Sequence, residues 1–218
     1  MSVIDPHLPA LRALDWDDTS QVQLTTAGLL ADLAQDRAAL RAAVEAIRGD
    51  AHLQGLCEHY DILDKLVLHD DRESGFRLRL HLFGPDHYDR PHNHRWTYSA
   101  RLLTGSYTHT LYGTEEGFNE SIDVRKLHAK MVRTEKAGDS YTLHHTMVHA
   151  AVAEPDTVSL IARGPAVKDR FLVTDRATGQ VWWQYGAAQE SPEQAAAKRM
   201  TLDQFDECLR TLHKLHLL

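Results

Sequence analysis

Cysteine is nearly absent: the 218 residues contain two, Cys57 and Cys208, far apart and in no CxxC pair. This excludes a disulfide-stapled scaffold and a thiolate metal site, so any metal must be held by histidine or carboxylate. Basic charge is also scarce. Lys plus Arg total 24 against 31 for Asp plus Glu, a net of -7, without the positive excess that nucleic-acid and anionic-membrane binders need. No apolar run approaches the roughly 18 residues of a membrane helix, and the stretch from Met1 to Leu14 has no basic segment followed by an apolar one. Neither internal repeats nor low-complexity linkers occur. A cytoplasmic protein is expected, with no nucleic-acid and no membrane partner.

Hydrophobic residues make up 43% of the chain and charged residues 25%, which suffices for a core and carries no disorder signature. One domain over residues 1–218 is expected. It divides into a helical N-terminal segment (1–70), a β-barrel (71–185) and C-terminal helices (186–218). Histidine is in excess, with 15 copies.

The periodicity of the chain changes twice. From Thr25 to Arg48, Leu29, Leu30, Leu33, Leu40, Val44 and Ile47 recur at near-helical spacing, and Gly49 offers a stop. A second helical stretch is expected from Ala51 to Leu66. After Asp70 the period becomes two: Phe76, Leu78, Leu80 and Leu82 alternate with Arg77, Arg79, His81 and Phe83, which predicts a strand. Further strands are expected over 95–103, 106–112, 122–127, 130–136, 149–153, 158–163, 171–174 and 180–185, punctuated by glycines. Many short strands at this spacing suggest a closed barrel or a jelly roll. Helix returns at Ser191-Pro192-Glu193-Gln194, an N-cap, a proline at the first helical position and a capping-box glutamine. Leu202, Phe205, Leu209, Leu212 and Leu215 then mark an amphipathic helix that packs on the barrel or on a second subunit.

The chemistry lies in the middle of the chain. In His92-Asn93-His94 two imidazoles stand at i and i+2, so on a strand both project to one face and can share an ion. Tyr98 and Gly105 follow. Further on, Gly138 precedes His144 by six residues and His149 by eleven. This spacing resembles the two cupin motifs, G(X)5HXH(X)3,4E(X)6G and G(X)5PXG(X)2H(X)3N. His92, His94 and His149 fall on the histidine-ligand positions, Gly105 on the closing glycine and Gly138 on the opening glycine of the second motif. Tyr98 replaces the ligand glutamate, His144 and Thr146 the PXG residues, Ala153 the asparagine and Asp86 the first glycine. The resemblance implies a mainly β, cupin-type jelly-roll barrel with N-terminal helices and a C-terminal helical extension.

Residues 76–179 resemble the thiol dioxygenase branch, typified by cysteine dioxygenase. Its pattern is matched by Phe76, Gly84, His87, His92 and His94, by Leu102, Leu103 and Gly105, and by Val158, Ser159 and Leu160 before Asp175, Thr178 and Gly179. The resemblance implies a mononuclear non-haem Fe(II) on three histidines, activating O2. Four departures concern the substrate. Ser159 keeps the serine of a Ser-x-His-x-Tyr run, but Ile161 and Arg163 replace its histidine and tyrosine. Tyr98 stands where a cysteine can crosslink to that tyrosine, and Leu66, beside Lys65, stands where the family has a carboxylate-binding arginine.

Three neutral imidazoles leave a divalent ion its full charge, which favours anionic ligands; Zn, Ni or Mn fit the same donor set. The family pattern turns Arg77, Arg79, His81 and Phe83 toward the pocket, and parity puts Trp96 and Tyr98 on the face of His92 and His94, and Arg163 on that of Ser159. Arg79, with Arg163, is then expected to hold a small anionic substrate through a planar guanidinium, beside His81, Phe83 and Trp96. Tyr98 would donate a hydrogen bond to oxygen or substrate. His81, His87, His144 and His145 are candidate pocket or surrounding residues, whereas spacing identifies no partner for His109. Two other readings stay open: a redox-neutral metal-dependent isomerase, lyase or hydrolase with His144 or Tyr98 as acid or base, and a non-catalytic metal- or ligand-binding protein. A homodimer is compatible with each.

Overall fold

The computed structural model describes residues 2–84 and 90–218. Its first long helices are α2 (Thr19–Gln35) and α3 (Arg37–Ala46), after the short α1 (Leu8–Arg12). The single helix expected from Thr25 to Arg48 is therefore two. Asp36 divides them: its backbone is extended, with ψ 91°, and its carboxylate accepts from the Ala39 amide to cap α3, as Asp18 caps α2. Capping here overrides an uninterrupted apolar period.

A larger correction concerns Ala51 to Leu66. Helix α4 stops at Leu56 (Ala51–Leu56) and strands β1 (Glu58–Tyr60) and β2 (Leu63–Asp70) follow. Residues 1–70 are thus not all helical, and the sheet begins before residue 71. The run Leu66, Val67 and Leu68 is buried; Leu66 and Val67 pair with β3 (Arg77–Phe83), and Leu68 sits at a bulge in the register, so the distant strand decides what a short apolar run becomes.

The remaining strands are β4 (Tyr98–Thr104), β5 (Ser106–Thr114), β6 (Met131–Lys136), β7 (Ser140–Leu143), β8 (Met147–Ala153), β9 (Val158–Arg163), β10 (Arg170–Thr174) and β11 (Val181–Tyr185). Strand β7 was not anticipated. The strand expected over 122–127 is instead a turn of 3-10 helix, Val124–Lys126, which Asp123 caps.

One sheet has six strands in the order β1-β2-β3-β9-β4-β7, each neighbour antiparallel. The other is assembled from β6-β5-β8 and β10-β11, joined through His92, which bridges His149 of β8 and Val173 of β10. The metal-motif segment is therefore also the seam of the second sheet.

Strand alternation sorts the side chains. Leu78, Leu80 and Leu82 of β3 and Val158, Leu160 and Ala162 of β9 pack outward with Leu29, Leu30, Leu33 and Leu40 of the N-terminal helices. Helix α6 (Leu202–Lys214) adds Phe205, Cys208 and Leu212 to the same core, after α5 (Pro192–Lys198) with its Ser191/Gln194 capping box. Each fully buried leucine contributes roughly 1.5–3 kcal/mol. Covered on that face, the six-stranded sheet directs its other face into the barrel.

Candidate metal centre

Bridging between β8 and β10 holds His92 opposite His149, and its backbone exchanges both hydrogen bonds with His149 at 2.9 Å. His94, two residues on, lies outside any regular strand, where its amide donates to the His145 carbonyl at 3.3 Å. The three side chains converge: one ring nitrogen from each lies within 4.8 Å of the others, and Nε2 of His94 is 2.7 Å from Nε2 of His149.

The outward nitrogens of His92 and His149 are committed. His92 Nδ1 donates to the Arg90 carbonyl at 2.8 Å, leaving the Nε2 lone pair for a ligand. Burial holds His92 down at about 4. Burial and the neighbouring imidazoles push His94 and His149 well below the usual histidine value. At neutral pH all three are in the uncharged form that binds metals. No carboxylate belongs to this group among the described residues.

A line of side chains runs outward from it. His149 Nδ1 is 2.9 Å from His109 Nε2, and His109 Nδ1 is 3.3 Å from Glu135 Oε1, which Arg133 holds through its Nε. His109 is fully buried. Sequence spacing missed this pair, because what joins them is the pairing of β5 with both β6 and β8.

The three histidines form part of the wall of a cavity of about 340 Å³, together with Arg79, His81, Phe83, Trp96, Tyr98 and Ser159. The Tyr98 hydroxyl is 3.4 Å from His149 Nε2 and 3.5 Å from the Tyr141 hydroxyl, to which Tyr107 donates at 2.6 Å. Burial raises the Tyr98 phenol well above its usual value, so it is a hydrogen-bond donor and not a base. The Ser159 hydroxyl is buried with no hydrogen-bond partner among the described residues. Arg79 is 8% exposed, its Nε likewise has no partner, and its Cζ lies 5.9 Å from the Trp96 ring. At the family's arginine position, Leu66 is in the helix-side core, while Lys65 reaches the cavity paired with Glu58 at 3.1 Å.

Other expected residues lie elsewhere. Arg163 is not on the cavity wall; its guanidinium donates to the Gly75 and Gly164 carbonyls at 3.1 and 2.8 Å and stacks 5.7 Å from the Trp96 ring. It sits opposite Arg77 in the β3–β9 register, at the strand end, where loop carbonyls are nearer than the cavity. Arg77 pairs with Asp70 at 2.6 Å and also leaves the pocket. The turn before β8 places His144 and His145 against Asp17, at 2.7 and 3.4 Å, not on the cavity wall. His87 lies outside the described residues.

Strand order defines a mainly β, jelly-roll barrel with helices at both ends, the architecture that the motif spacing leads one to expect. No family model matches the chain, and neither does any curated protein. Solved structures similar to it include KdgF from Halomonas sp., 18% identical with a TM-score of 0.36, covering 49% of this chain and 82% of that one. An RmlC-like cupin from Shewanella frigidimarina is 16% identical with a TM-score of 0.38, over 52% and 86%. The polyketide cyclase RemF from Streptomyces resistomycificus is 17% identical with a TM-score of 0.34, over 49% and 66%. No helix among the described residues is long and apolar enough to cross a membrane.

Proposed function

We propose that this protein is a mononuclear non-haem Fe(II) oxygenase that oxidises a small anionic substrate with O2. The observation that carries this is the donor set: three neutral, convergent imidazoles on the wall of a cavity, with no carboxylate among them. An ion bound by His92, His94 and His149 keeps its full double charge, which draws in an anion. Iron(II) in that position would supply the electron-transfer chemistry that O2 requires and that no side chain provides.

The chain's own residues have separate tasks. Arg79, which makes no direct ion pair among the described residues, holds the substrate's negative group through its planar guanidinium. Phe83 and Trp96 exclude water around it, which strengthens that attraction. The Tyr98 phenol donates a hydrogen bond to a substrate or oxygen atom lying against the three histidines, and Ser159 offers a second hydroxyl.

Departures at Ile161, Arg163 and Tyr98 argue that the substrate is not handled as in cysteine dioxygenase-like enzymes, since the histidine and tyrosine assisting thiol oxidation there have no counterpart here. A redox-neutral lyase or isomerase is less well supported. Of its two proton carriers, His144 is on Asp17 outside the cavity, and Tyr98, held protonated, can serve as an acid and not as a base.

Oxygen uptake by iron-reconstituted protein, measured against a panel of small acids with and without thiols, tests the proposal. Iron-dependent consumption of O2 with at least one acid is expected. Turnover undiminished without oxygen would indicate the redox-neutral reading, and saturable binding without any product would indicate a binding protein.

A further inference from the structure

We infer that the cavity takes a flat aryl monocarboxylate, its carboxylate on Arg79 and a second donor atom facing the three histidines. This narrows the small anion proposed above and rests on that reading for its metal-facing end alone.

The charge pattern comes first. Lys65 and Lys198 both bind Glu58, at 3.1 and 2.9 Å, and Lys198 also binds Glu190 at 2.6 Å. Both carboxylates of this cluster are thereby engaged by lysines; Arg79 feels Glu58 only at longer range, makes no direct ion pair, and keeps a buried Nε without a hydrogen-bond partner among the described residues. A buried guanidinium with an unmade hydrogen bond and only a shared, distant counter-charge is costly to keep, and a ligand carboxylate would complete it. The cavity therefore asks for one negative charge at Arg79. A second carboxylate would find Lys65 already committed to Glu58 and Arg90, also on the wall, facing Asp175 at 3.8 Å.

An α-amino acid fits poorly. Its ammonium would enter beside Arg79 and Lys65, and the carboxylate on the cavity wall among the described residues is Asp61, which is exposed. No buried counter-charge awaits the ammonium, so the preferred acid carries its charge on the carboxylate alone.

The walls specify the body of the molecule. Phe83, Trp96, Phe171, Tyr60 and Trp182 all face the cavity, and aromatic walls favour a planar, apolar guest through stacked or edge contacts. Trp96 spans the two ends: its ring is 5.9 Å from the Arg79 Cζ and 4.8 Å from the His94 ring. The Phe171 ring, also on the wall, lies 6.3 Å from that of His94 and nearly parallel, at 18°. A guest with its carboxylate on Arg79 and its ring along Trp96 turns its opposite edge to the histidines. A hydroxyl or similar donor there completes the match.

The test uses metal-free full-length protein titrated by calorimetry with benzoate, 4-hydroxybenzoate, L-cysteine and succinate. The aryl carboxylates should bind at least about tenfold more tightly than the other two, and Arg79→Met should abolish that preference without lowering Tm. Equal binding of cysteine or succinate overturns the inference, as does an Arg79→Met variant that keeps wild-type affinity. Should that variant fail to fold, thermal shifts of the wild-type protein decide: the aryl acids must raise Tm more than succinate or cysteine. Metal binding is followed separately, by equilibrium dialysis of Fe(II) against wild type and His94→Gln. Aryl binding without metal binding keeps this inference and removes the metal reading. Metal binding without an aryl preference removes this inference alone.

Discussion

His149 is the best-supported of the three histidines, and its support defines how the site is tuned. With Nε2 facing the site, its Nδ1–H donates to His109 Nε2, and His109 in turn donates to Glu135. The carboxylate end makes the ligand more basic and fixes its ring, as outer partners of metal histidines do. His109→Ala should therefore weaken metal binding roughly 10–100-fold while all three ligands remain, measured by competition with a chelator; unchanged affinity would make the chain a packing feature only. Tyr98→Phe removes one hydroxyl that points toward His149. It should lower turnover about tenfold, the worth of one hydrogen bond near 1.4 kcal/mol, with metal stoichiometry unaffected. His92 and His94 could be read from sequence because an i, i+2 pair is a local pattern, although only His92 makes a bridge and residues 90–97 form no regular strand. His109 could not, since its partners are reached only across strand pairings.

Among the elements, the boundaries carry the surprises. Asp36 turns an apparent single helix into two by capping the second. Asp36→Ala should cost about 1 kcal/mol, seen as a lower urea midpoint; a longer, fused helix of equal stability would contradict the capping role. Gly105 is held more tightly. Its φ is +70°, and a Cβ there would meet Thr157 Oγ1 at 2.3 Å, in the turn where Thr157 also accepts from the Ser106 amide. Gly105→Ala should therefore destabilise by roughly 2–4 kcal/mol, combining backbone strain with a clash. The strands from β3 onward were largely legible because their apolar residues alternate and glycines separate them. β2 was not: Leu66, Val67 and Leu68 are consecutive, buried on both faces, and a short run of that kind carries no period to read. β7, four residues long, is defined mainly by pairing with β4.

At the level of the whole molecule, the barrel closes around neutral imidazoles. Burial holds His92 and His109 at about 4, against an ordinary 6.5, with His94 and His149 lowered in the same sense. The folded state thus binds fewer protons than the unfolded chain between about pH 6.5 and pH 4. Stability is complete above that window and falls as the pH drops through it, because the unfolded chain takes up protons that the buried rings refuse. Urea midpoints of metal-free protein should decline across the window; a flat profile would mean these rings are protonated without cost.

By itself the sequence determined the class of fold and the three candidate ligands, because strand period, turn glycines and an i, i+2 histidine pair are properties of neighbouring residues. Tertiary structure decided which cations serve the cavity. Arg79 and Arg163 both lie on inward-facing strand positions, but only Arg79 lines the cavity; Arg163, at a strand end, finds carbonyls of other segments first. A guanidinium goes to the nearest acceptors that folding provides, and their positions depend on segments far away in the chain.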